Sequence, residues 1–182
     1  MTLPNYITLF RILLVPFFFT ALVSYETGQE TVRWLALVLF LVAALSDALD
    51  GFLARMLKQQ SQLGRILDPL ADKLLILSGY LGLLYVEALP LHPPLWVTVA
   101  IVFRDMVLFV GLIIVYLIGG RLAIQPNLLG KCTTGFQIVT LVALLLQSPV
   151  AAYLWTATAV LTILSCLVYV TRELKLLGSA AA

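Results

Sequence analysis

Six long apolar runs, divided by short polar breaks, set the terms for what this chain can become. A bilayer core of about 30 Å is crossed by about 20 mostly apolar residues in a helix. Runs of that length lie at roughly 7–24, 32–54, 68–87, 94–118, 130–147 and 150–172. The breaks are "SYETGQE", the stretch from Lys58 to Gly64, "LPLHPP", "GGRLAIQPN" and "QSPV", all carrying turn residues. Soluble domains are about 45–50% apolar and about 25% charged; here 62% of the residues are hydrophobic and 11% charged. The expected fold is therefore an all-α integral membrane protein, a six-transmembrane-helix bundle forming one domain over residues 1–182. The first run follows the uncharged "MTLPNY", contains Arg11 and lacks a small-residue cleavage site, so it is expected to stay as a span rather than leave as a signal peptide.

Charge sets the orientation. The connection after the second span holds Arg55, Lys58 and Arg65, the one after the fourth holds Arg121 with Lys131 at its end, and the C-terminal end holds Arg172 and Lys175. The other side shows Arg33 against Glu26, Glu30 and Glu87. Lys and Arg gather in cytoplasmic loops, so both termini are expected in the cytoplasm. A formal net charge of +2 with no basic stripe or arm gives nucleic acid nothing to bind. Cys132 and Cys166 show neither CxxC spacing nor a histidine nearby and read as small packing residues. His92, the single histidine, reads as a loop residue.

Against this background, four of the nine acidic residues fall between positions 47 and 72. Asp47 and Asp50 are three apart at the cytoplasmic end of the second span; Asp68 and Asp72 are four apart at the start of the third. Residues at these spacings share a helix face, and two consecutive antiparallel helices bring such faces together. Unliganded, the cluster is unfavourable: like charges repel, and an acid held toward the membrane costs roughly 2.5–3.5 kcal/mol on insertion scales. Two divalent cations would offset four negative charges. Oxygen-only ligands point to hard ions, Mg²⁺ first and Mn²⁺ or Ca²⁺ next. Mg²⁺ is usually shared with substrate phosphates, and a metal pair can clamp an in-line displacement at phosphorus. The bland alternative pairs the four acids with Arg55, Lys58 and Arg65 in an exposed loop. Asp68 before Pro69 also has the form of a helix start, with Asp as N-cap and Pro in the first turn. Gly51 inside a helix costs about 1 kcal/mol relative to Ala, which close approach of a ligand or of another helix would explain. Ala54 is small on the same side, Arg55 is placed to meet a phosphate, and Gly64 suits a tight turn before the third span.

Taken together, Asp47-x2-Asp50-Gly51-x2-Ala54-Arg55-x8-Gly64-x3-Asp68-x3-Asp72 resembles the signature of the CDP-alcohol phosphatidyltransferases at every fixed position. The opening "LPNYITLFRILLVP" and the six-run layout resemble the family too. The resemblance implies that CDP-diacylglycerol is the donor and that Asp47, Asp50, Asp68 and Asp72 hold two metals. Asp72 would also act as general base on the acceptor hydroxyl. Gly51, Ala54, Arg55 and Gly64 would cradle the CDP portion, with Asn5 and Thr8 assisting at the nucleotide. It further implies a bacterial inner-membrane protein with its active site at the cytoplasmic face, and a homodimer, for which Ser78, Gly79 and Gly82 offer a small-residue face; the same face would equally serve packing inside the bundle.

The signature leaves the acceptor open. Arg104 and Asp105 lie inside the fourth span, where an arginine is a functional candidate or one half of an internal ion pair. Arg104, Arg121 and Lys131 would suit an acceptor that carries its own phosphate. The run from Leu129 to Gln137, LGK-x-x-T-x-x-Q, resembles the bacterial phosphatidylglycerophosphate synthases, which use glycerol 3-phosphate. "QLGRILDPLADKLLI" followed by Arg104-Asp105 also resembles the CMP-forming cardiolipin synthases, which use phosphatidylglycerol; glycerol 3-phosphate is the preferred expectation. Arg11, one turn into the first span, is expected to snorkel to headgroups, with lining the site as the alternative. Two other classes place acids in membranes: intramembrane prenyltransferases, whose paired motifs lie far apart in longer chains, and cation transporters, whose sites lie near the midplane.

Overall fold

The apolar runs fold as helices, and the breaks at 24–29, 86–94 and 146–150 form the connections that are described. The computed structural model describes the backbone of residues 3–57, 64–119 and 128–180, and within these the side chains of residues 6–47, 67–111 and 128–172. The described helices are α1 (Leu3–Val23), α2 (Glu30–Leu57), α3 (Gly64–Tyr85), α4 (Leu95–Gly119), α5 (Leu128–Leu145) and α6 (Ala151–Ala180), and no strand occurs among the described residues. Three of them, over Tyr6–Val23, Leu128–Leu145 and Ala151–Arg172, are long and apolar enough by themselves to cross a membrane. Large apolar side chains point outward on every helix, among them Leu13, Phe17, Val38, Leu81, Phe109, Val139 and Leu167. In water such surface would be a sticky patch; in lipid it is the outer face of a membrane protein.

One boundary differs from the expectation. Helix α3 begins at Gly64, so Asp68 is not its N-cap and Pro69 lies beyond its first turn. Proline breaks a helix by removing one bond to the carbonyl four residues back. Only five residues of α3 precede Pro69, so the lost bond falls where the helix is hardly begun. Asp68 is thereby carried on a formed helical face. Gly64 opens α3, and Gly51 lies inside α2 as read from sequence.

Two compact units emerge, the first containing Met1–His92 and Leu141–Ser148, the second Pro93–Thr140 and Pro149–Ala182. In the first unit, α1 packs on α2 and α3, and α2 on α3. The inward stripe of α1 is Thr8, Arg11, Phe18 and Leu22; that of α2 is Ala36, Phe40, Ala43 and then Asp47; that of α3 is Asp68 and Asp72 followed by Leu75, Gly79 and Leu83. Each stripe follows one helix face, in steps of three, four or, between Arg11 and Phe18, seven residues. Each is apolar toward one end and polar toward the other. Phe18 and Phe40 meet with ring centroids 5.5 Å apart. A Cβ on Gly82 would sit 2.7 Å from a Leu22 methyl, and one on Gly79 would sit 3.0 Å from both Leu141 methyls. These glycines are therefore used inside the chain, letting α3 approach α1 and the end of α5.

The end of α5 is pinned by Gln147. Its backbone is left-handed, at φ +53°, as the residue closing a Schellman turn must be: Ser148 N–H donates to Ala143 O (2.9 Å) and Gln147 N–H to Leu144 O (3.0 Å). Glycine usually fills this place, because a side chain there costs about 1–2 kcal/mol. Gln147 offsets the strain with its amide, which accepts from Leu91 N–H (2.8 Å) and donates to Leu91 O (3.0 Å) and Leu144 O (2.7 Å). The Pro-rich 86–94 connection is thus tied to the end of α5.

In the second unit, α4 packs against α6, closely enough that a Cβ on Gly111 would strike the Tyr169 hydroxyl. Helices α5 and α6 meet along buried hydroxyls, with Thr140 and Thr158 sharing a 2.7 Å hydrogen bond and Thr158 reaching Phe136 O. Apolar packing gives little preference between lipid and protein, so such bonds give helix pairs their register.

Gln147→Ala is expected to lower unfolding stability by about 1–3 kcal/mol, the net worth of the amide's bonds. Thermal unfolding of the purified protein in detergent measures it. Gln147→Gly, which relieves the backbone strain, should lose less than Gln147→Ala.

Candidate active site

At the polar end of the first unit, α1 meets the two aspartate-bearing helices. Arg11 is the largest fully buried side chain there, at 0% exposure. Its Nη1 lies 2.8 Å from Asp47 Oδ1 and 2.6 Å from Asp72 Oδ1. One turn earlier on the same face, the Thr8 hydroxyl donates to Asp68 Oδ1. A single helix face therefore supplies a polar partner to each of three carboxylates on two other helices. Arg11 does not snorkel to headgroups as expected; two acids hold it inside. A buried guanidinium with no anion would be costly, and a pair of carboxylates removes that cost.

The carboxylates offer oxygen donors only, the ligand chemistry of a hard cation. Asp47 and Asp72 come from different helices, yet each places an oxygen against the same Arg11 nitrogen, which fills the place between them. Both acids keep contact with the outside, at 41% and 33% side-chain exposure. Among the described residues no group of three acidic, histidine or cysteine side chains is close enough to hold a metal unaided. The backbones of Asp50, Gly51, Ala54 and Arg55 belong to α2; their side chains and that of Asn5 lie outside the described side chains, as does Arg121 altogether. The sequence reading missed Arg11 as an ion-pair partner and Thr8 as a partner of Asp68. The 8, 11, 18, 22 stripe of α1 was the available signal.

The second unit holds the candidate acceptor residues that are described. Arg104 is 3% exposed; its Nη1 donates to Asp105 Oδ1 (2.7 Å) and its Nη2 to Ser165 Oγ (3.3 Å) on α6. Its Nε is buried with no hydrogen-bond partner. Gly130 on α5 lies against it, since a Cβ there would be 3.4 Å from Nη2. Arg104 thus touches the run from Leu129 to Gln137, which sequence distance alone did not reveal. Within that run Lys131 is exposed and Gln137 fully buried. Ser165 was not foreseen; its only sequence signal is the Thr158, Thr162, Ser165 stripe. Cys132 and Cys166 are free thiols.

The model of the CDP-alcohol phosphatidyltransferase family matches residues 1–170. The chain is 36% identical over 155 residues to the CDP-diacylglycerol-glycerol-3-phosphate 3-phosphatidyltransferase of Bacillus subtilis, covering 80% of this chain and 77% of that protein. It is 36% identical over 160 residues to the CMP-forming cardiolipin synthase of Streptomyces coelicolor, covering 88% and 72%. It is 35% identical over 182 residues to the probable phosphatidylglycerophosphate synthase of Mycobacterium tuberculosis, covering 97% and 83%. With a match running from the first residue to near the end of α6, and with the signature aspartates carried on two helices that pack together, the chain belongs to the CDP-alcohol phosphatidyltransferase family.

Proposed function

We propose that this protein transfers a phosphatidyl group from CDP-diacylglycerol to glycerol 3-phosphate, releasing CMP. The observation that supports the reading is the convergence of the Asp47, Asp68 and Asp72 carboxylates, from two packed helices, on one face of α1. Asp47, Asp50, Asp68 and Asp72 hold two divalent cations, Mg²⁺ first and Mn²⁺ next. When bound, these ions neutralise the diphosphate and the departing CMP. Asp72 accepts the proton of the acceptor hydroxyl, whose oxygen then forms a bond to the β-phosphorus as the bond to CMP breaks. Gly51, Ala54, Arg55 and Gly64 take the CDP portion, with Asn5 nearby. Thr8 holds Asp68 in place from α1.

Arg104, Arg121 and Lys131 meet the acceptor's own phosphate. The buried, unpartnered Nε of Arg104 and the side-chain-free Gly130 beside it support that reading. A second reading, phosphatidylglycerol as acceptor and cardiolipin as product, is favoured by the Streptomyces relative, whose identity to this chain equals that of the Bacillus one.

In this reading the six helices form one six-span membrane domain over residues 1–182. Both termini and the aspartates face the cytoplasm, in the inner membrane of a bacterium, and the chain works as a homodimer. Exposed aromatics of the first unit support the orientation: Trp34 lies near the N-terminal end of α2 and Tyr85 ends α3, both at the helix ends opposite the aspartates, where an aromatic belt would sit.

Purified protein in mixed micelles is expected to release CMP from CDP-diacylglycerol when Mg²⁺ and glycerol 3-phosphate are present, and to stop when EDTA is added. Asp72→Asn should lower the rate by at least about 100-fold while thermal unfolding still shows a folded chain. Undiminished turnover in EDTA would remove the metals from this reading, and faster turnover with phosphatidylglycerol than with glycerol 3-phosphate would move the assignment to cardiolipin synthesis. Lys131→Ala, at an exposed position, should raise KM for glycerol 3-phosphate about tenfold, the worth of one charged contact, and leave KM for CDP-diacylglycerol unchanged.

A further inference from the structure

The charge of the aspartate centre includes a group from outside the signature. Arginine stays protonated in proteins, and Arg11 is wholly buried with one nitrogen against both Asp47 and Asp72. Four carboxylates with this arginine carry three formal negative charges rather than four. Two divalent cations would then leave the loaded centre one charge positive instead of neutral. A diphosphate donor and a departing nucleotide phosphate are both anions that such an excess favours.

We propose that Arg11 is a resident cation of the metal centre: a positioning residue that sets the spacing of Asp47 and Asp72, weakens metal binding, and leaves the loaded site positive for the diphosphate. The inference rests on the metal-dependent reading above. Its distinguishing consequence is that removing Arg11 tightens metal binding while slowing turnover. A residue serving only to fill space or hold α1 in place would lower stability and leave metal affinity where it was. The placement on α1 matters, because Thr8 on the same face already anchors Asp68. The second contact orients α1, so the Arg11 guanidinium is presented to the carboxylates by a fixed element.

The test is a titration of the full chain in detergent, without substrate, by Mg²⁺-induced rise in unfolding temperature and by Mn²⁺ binding seen in electron paramagnetic resonance. R11Q keeps a hydrogen-bond donor and removes the charge; R11M removes both. Each is expected to lower the half-saturating metal concentration at least about tenfold, the effect of one nearby like charge removed. Each should also lower kcat at saturating metal and raise KM for CDP-diacylglycerol. R11K keeps the charge without the planar fork, so its metal midpoint should stay within about twofold of the parent while kcat falls. An unchanged or higher midpoint in R11Q would overturn the proposal, and so would a tenfold lower midpoint in R11K. Should R11M not fold, R11Q and R11K still decide between these outcomes. If the parent itself shows no response to Mg²⁺ or Mn²⁺, the metal-dependent reading fails and this inference with it. If the parent responds and R11Q matches it, this inference alone fails.

Discussion

A guanidinium sealed inside an apolar chain is the constraint that orders the first unit. Arg11 is fully buried, and Asp47 and Asp72 approach it together, which offsets the cost of burying its charge. That pairing ties α1 to α2 and α3 at one end, while Phe18, Phe40 and the glycine contacts at Gly79 and Gly82 close the other. The two ends depend on each other. A short Thr8 side chain spans from α1 to Asp68 only if the helix axes are near, and Gly82 beneath Leu22 permits that nearness. Packing in the apolar half thus sets distances in the polar half.

The helices were legible because a membrane-crossing helix needs a long apolar run; the described helices lie where those runs lie, and three of them are long and apolar enough to cross a membrane. The paired aspartates were legible because spacings of three and four mark a helix face. The start of α3 was read four residues late, since Asp-Pro mimics a helix N-terminus and nothing local reveals that a turn precedes it. Arg11 was misread for a different reason. A lone arginine near a span's end normally reaches outward to water, and its partners are 36 and 61 residues away. Only the stripe it shares with Thr8, Phe18 and Leu22 marks it as inward. Gln147 and Ser165 gave still less warning, because their partners are set by tertiary approach.

The second unit has chemistry of another kind. Here the polar groups include neutral hydroxyls along α5 and α6 and an ion pair, Arg104 with Asp105, formed by neighbours in sequence. An arginine balanced by an adjacent aspartate can pass between an internal partner and an incoming anion at little electrostatic expense.

The burial of Arg11 has a consequence for how the chain is made. When α1 first enters the bilayer, neither Asp47 nor Asp72 has been synthesised, so the arginine must wait at the headgroups, reaching outward as a snorkelling side chain does. Its inward turn becomes favourable only after α2 and α3 arrive with their acids. The first helix therefore enters the membrane in one rotational setting and settles in another. The step that converts the first into the second is the pairing of Arg11 with Asp47 and Asp72, so quality control that recognises unsatisfied charge in a membrane would clear this protein only once α1, α2 and α3 have packed.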